Sequence, residues 1–92
     1  MKLHELKIRR EYAKAKLKGI KSFEIRKNDR DYQVGDLVRY VIPCPIDTED
    51  KMLNEVISKD IYQIMYITDY EQKDNYIVFT DKVVARVELL GE

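Results

Sequence analysis

Ninety-two residues, 45% of them hydrophobic and 37% charged, provide for one compact domain with a small core and argue against a disordered chain. Seventeen basic residues balance seventeen acidic ones, and a single cysteine, Cys44, excludes an internal disulfide. No apolar run is long enough for a signal sequence or a membrane span, so the chain reads as cytoplasmic.

The charges are unevenly placed. Residues 1–30 hold eleven Lys or Arg against four Asp or Glu, a net of +7, and the remainder carries −7. This asymmetry suggests a basic face for a phosphate-bearing partner, or two halves that neutralise one another in the fold.

In chain order, "LHELKI" (3–8) alternates Leu3, Glu5 and Lys7 with His4, Leu6 and Ile8, as a short strand with one apolar-rich face does. "RREYAKAKLKG" follows. Tyr12, Ala13, Ala15 and Leu17 mark one side of a helix, Lys14, Lys16 and Lys18 complement its C-terminal dipole, and Gly19 suits a left-handed cap. From Lys21 the period becomes two. "SFEIRK" predicts a strand with Phe23 and Ile25 toward the core and Glu24 and Arg26 on the opposite face. "NDRDYQVG" is rich in turn formers, and "DLVRYVI" predicts a second strand with Val38, Tyr40 and Ile42 on one side.

"PCPIDTEDKMLNEVIS" predicts a loop with room for a short helix, capped by Asp47 or Thr48 and turning Met52, Leu53 and Val56 inward. Cys44, between two prolines, has only His4 as a base for nucleophilic work; a buried or half-buried thiol is the plainer expectation. "DIYQIMYITDY", "NYIVFT" and "KVVARVELL" predict three strands with turns near 71–75 and at Asp81, and Tyr62, Tyr66 and Tyr76 fill the interior. So many strands in so short a chain must curl to protect their edges. The expected fold is α+β, mainly β, a small barrel of about five to six strands with one N-terminal helix and a short second one.

The spacing Gly19-x-Lys21-x-x-Glu24-x-Arg26 brings a Lys, a Glu and an Arg to one barrel mouth. The cations would take phosphate or carbonyl oxygen and the Glu would accept from an exocyclic amine. An ion-pair network closing the barrel end is the structural alternative. Among the aromatics, Tyr32 and Tyr40 are candidates to stack on bases. No ligand spacing supports a metal, and no cofactor is indicated.

"HELKI" at 4–8, "GIKSFEIRKNDRDYQVGD" at 19–36 and the later "ITDY…NYIVF" closely resemble the DUF3850 family, small bacterial and phage proteins of the ASCH group in the PUA-like superfamily. The resemblance implies a PUA-like barrel with a helix beside a cleft and a nucleic-acid-binding role, RNA or a nucleotide foremost. Gly19, Lys21, Glu24 and Arg26 match the ASCH motif; His4, Glu5, Lys7, Asn28, Asp29, Arg30 and Asp36 match blocks of the narrower family. The expected ligand-binding set is therefore Lys21, Glu24, Arg26, Arg30, His4, Lys7, Asn28 and Tyr40.

Some ASCH proteins resemble small amidohydrolases that deacylate a modified cytidine with a Lys, a Thr and a Glu. Here Lys21 is kept but Glu24 stands where the Thr stands, and a carboxylate replaces an activated hydroxyl poorly. If the chain is an enzyme, Lys21 and Glu24 carry it. A protein-interaction module using the acidic C-terminal part is a third reading.

Overall fold

The computed structural model describes residues 1–86. Strand β1 (Leu3–Lys7) leads into helix α1 (Arg10–Leu17), then β2 (Phe23–Lys27), β3 (Leu37–Val41), α2 (Thr48–Ile57), β4 (Asp60–Asp69) and β5 (Tyr76–Arg86). The five strands form one sheet in the order β1-β3-β4-β5-β2, with β1 parallel to β3 and every other pair antiparallel. The sheet curls into a half-barrel, and β1 and β2 are its two edges.

Alternation decides most of the packing. His4 and Leu6 of β1, Val38 and Tyr40 of β3, and Tyr62 and Ile64 of β4 all point inward and are buried. Phe79 joins them from β5, and Ile57 from α2. Helix α1 ends as its sequence predicts: Gly19 takes a φ of +75°, a conformation that carries no Cβ penalty only for glycine. Asp47 caps α2 by accepting from the Asp50 N–H at 2.8 Å. Arg10 of α1 clamps the start of α2, donating to Asp47 at 2.5 Å, Glu49 at 3.0 Å and Asp50 at 2.5 Å.

Several expectations are corrected. Asp81 is not a turn: β5 runs through it without a break, and its side chain points inward. The remainder of the predicted last strand, 87–90, lies outside the described residues. On β2 the faces are reversed, since Glu24 is 4% exposed whereas Phe23 and Ile25 are 44% and 42% exposed. Glu24 tolerates burial because cations surround it; the apolar pair lies on the outer face of the sheet. In α2, Leu53 packs on the core and Ile57 is fully buried, while Met52 and Val56 face out. Tyr66 is exposed because a register shift between Ile64 and Tyr66 turns it to the outer face. Cys44 is exposed too, on a loop residue with a φ of +47°.

Because β1 and β2 are not neighbours in the sheet, a seam separates them. Two arginines stitch it: Arg26 Nη2 donates to the Lys7 carbonyl at 2.9 Å and Arg30 Nη1 to the Glu5 carbonyl at 3.2 Å. These bonds satisfy edge carbonyls that a closed barrel would have paired with backbone.

Candidate functional site

The site is built on a buried charge. Lys16 belongs to the inward face of α1 and its side chain is 0% exposed. Its Nζ lies 2.9 and 3.0 Å from the two Asp81 oxygens and 3.2 Å from Glu24 Oε2. The Tyr40 hydroxyl donates to Asp81 Oδ2, and the Lys16 ammonium also sits over the Tyr40 and Tyr62 rings. Every member of this group is thus paired, the condition under which buried charges persist.

From there the network runs outward. Glu24 Oε2 accepts from Lys21 Nζ at 2.8 Å, and Glu24 Oε1 accepts from Arg26 Nη2 at 3.1 Å and Nε at 3.3 Å. Burial works to raise the Glu24 carboxyl, but Lys16, then Lys21 and Arg26, outweigh it and hold the pKa below the usual carboxylate range. Burial, reinforced by the Glu24 and Asp81 charges, pushes the Tyr40 hydroxyl well above its ordinary value, so it stays a donor. Two carboxylates face three cations, Lys16, Lys21 and Arg26, and the outer two cations are only partly covered.

Those outer cations border a cleft of about 410 Å³ that crosses the free edge of β2, with Lys7, Ile8 and Arg9 on one side and Phe23 and Ile25 on the other. Tyr12, 45% exposed, closes it from α1. The size suits a nucleoside-sized group. Lys21 Nζ, 4.8 Å from the Phe23 ring centre, uses one of its three donors on the Phe23 carbonyl at 2.5 Å and one on Glu24, which leaves one. Arg26 directs Nε and Nη2 at Glu24 and Lys7, and Nη1 has no bond among the described residues.

The structure therefore gathers Lys21, Glu24, Arg26 and Lys7, with Arg30 beside them in a smaller groove that Arg26 shares. It separates the others. His4 is buried, its Nε2 2.8 Å from Asp36 Oδ2, and its ring packs on Tyr32 at 4.7 Å. Asp36 also accepts from the Lys2 and Gln33 backbone N–H groups, each at 3.1 Å. Burial favours the neutral acid there, yet the hydrogen bonds from His4, Lys2 and Gln33 keep its pKa below the ordinary value. Tyr40 is fully buried, so its ring cannot receive a base; Tyr32, 6% exposed, is held between His4 and Phe79. Asn28 lies on a separate groove beside the β4–β5 turn.

Glu24 itself is corrected from reader to counter-ion, since both of its oxygens are engaged by cations. An acid–base role would require it to release them. Sequence reasoning missed Lys16, Asp81, Arg9 and Tyr12. Only Lys16 announces itself: it lies three residues after Ala13 and four after Tyr12, on the face of α1 that also carries Leu17. Among the described residues no three His, Cys, Asp or Glu side chains gather as a metal site, and no helix is long and apolar enough to cross a membrane.

Residues 3–80 match the family described as Domain of unknown function (DUF3850), so the chain belongs to that family. No curated protein matches it.

Proposed function

We propose that this member of the family binds single-stranded nucleic acid, RNA foremost, in the cleft between α1 and the free edge of β2. The observation that supports the reading is the set of unspent donors on Lys21 and Arg26, anchored from behind by buried Glu24 and flanked by the exposed Tyr12 and Phe23 rings. Cations track a phosphate or a base oxygen, and aromatic faces take a base whatever its identity. Lys7 and Arg9 extend the positive rim. The likeness to the ASCH group supports the same ligand class.

Fluorescence anisotropy with a mixed-sequence oligoribonucleotide pool at low salt tests this. Lys21→Ala and Arg26→Ala are each expected to weaken binding about tenfold or more, the effect of a hydrogen bond to a charged group. Where a lost cation contacted phosphate, the salt slope falls by about 0.7. Unchanged affinity in both variants would refute the reading.

A further inference from the structure

The outer face of the sheet is where the reversed orientation of β2 has its largest effect. In the register, Phe23 pairs with Thr80, which pairs with Tyr66; Ile25 pairs with Val78, which pairs with Thr68. A third row joins Lys27 to Tyr76. Residues paired across antiparallel strands share a face, so these rows lie side by side on the outside of β2, β5 and β4. Phe23 and Tyr66, 44% and 62% exposed, stand two strand spacings apart, roughly 10 Å.

Charge on this face is one-sided. Lys27 and Lys82 occupy outward positions and both are exposed, whereas the acidic residues of β4 and β5, Asp60, Asp69 and Asp81, all take the opposite parity. This happens in the part of the chain whose overall charge is negative. The carboxylates have been turned away from a surface that presents aromatic rings and lysines. That surface is continuous with the cleft, because Phe23 and Ile25 form a wall of the cleft and also head the first two rows.

We infer that the outer face of β2, β5 and β4 is a second binding surface, over which a single-stranded nucleic acid leaving the cleft passes, one base stacking on Tyr66. The inference rests on the nucleic-acid reading of the cleft. The charge complementarity and the shared residues Phe23 and Ile25 favour this occupant over a second copy of the chain. Stacking on exposed aromatics needs no base identity, so this surface adds affinity with length and little sequence preference.

The test measures the affinity of the full chain for oligouridylates of about four and about twelve nucleotides, within the span of one small β-barrel. In the wild type the longer probe binds more tightly. Tyr66→Ala is expected to lower the ratio of long to short affinity about fivefold or more, and Tyr66→Phe to retain it, since a ring suffices for stacking. Lys21→Ala weakens both probes. If Tyr66→Ala leaves the ratio unchanged while Lys21→Ala still weakens both, the outer-face path is wrong and the cleft reading stands. If neither probe binds the wild type, both are wrong. A shift from dimer to monomer on Tyr66→Ala, seen by sedimentation, would also overturn the inference by making this face a self-interface.

Discussion

Two buried carboxylate clusters lie at opposite ends of the strand order, and they differ in where their hydrogen bonds lead. Around Asp36 every bond turns inward: His4 and the Lys2 and Gln33 amides converge on it, tying β1 to the turn before β3. Around Glu24 the bonds lead outward, from Lys16 and Asp81 in the core to Lys21 and Arg26 at the cleft. A carboxylate whose donors are mainly backbone fixes a loop. One whose donors are side-chain cations positions charge, and what it positions remains available to a ligand.

The comparison is most severely tested at Asp81. Asp81→Ala removes the closest counter-ion of a fully buried ammonium and is expected to cost about 3–5 kcal/mol in urea unfolding. The double variant Lys16→Met with Asp81→Leu should recover much of that loss, because it removes the charge that would be stranded. A smaller effect separates the clusters directly. Asp36→Asn is expected to cost about 1–3 kcal/mol with no change in RNA affinity, whereas Glu24→Gln should lower both stability and affinity. Equal effects of the two on RNA affinity would erase the distinction.

Acid titration gives the next prediction. Both carboxyls are held below their ordinary values, 3.8 for Asp36 and 4.5 for Glu24, so each contributes stability that is complete above those values. The contribution drains as pH falls through the lower folded values. Unfolding followed from pH about 6 to about 2 should therefore show an acid limb that Glu24→Gln and Asp36→Asn each make shallower. A steeper limb in either variant would contradict the sign. The smallest effect belongs to Tyr40→Phe, which deletes one donor to Asp81 while Lys16 remains, for about 1 kcal/mol.

Much of this organisation is legible in the residues, and the failures have physical causes. The alternation of Val38, Tyr40 and Ile42 predicts the inward face of β3 because nothing competes with apolar burial there. On β2 the same rule inverts the strand. The charge that does most to offset the burial of Glu24 is Lys16, which comes from α1 and is itself held by Asp81 of β5, and periodicity within β2 carries no knowledge of partners on other elements. Asp81 reads as punctuation for the same reason: a charge between two apolar runs marks a turn unless a cation waits inside. Spacing and resemblance single out the trio Lys21, Glu24 and Arg26, but spacing does not reveal that Glu24 is spent on its neighbours.

The Lys16–Asp81 pair also sets a schedule. Its members are 65 residues apart, so a ribosome makes the ammonium long before the carboxylate that accepts it. Until β5 emerges, β2 has no strand to pair with and the amine lacks its closest counter-ion. The domain is therefore expected to fold after most of it has been synthesised, as a late, cooperative event governed by distant pairings. The cleft then forms last, and its formation reports that the whole sheet is in place.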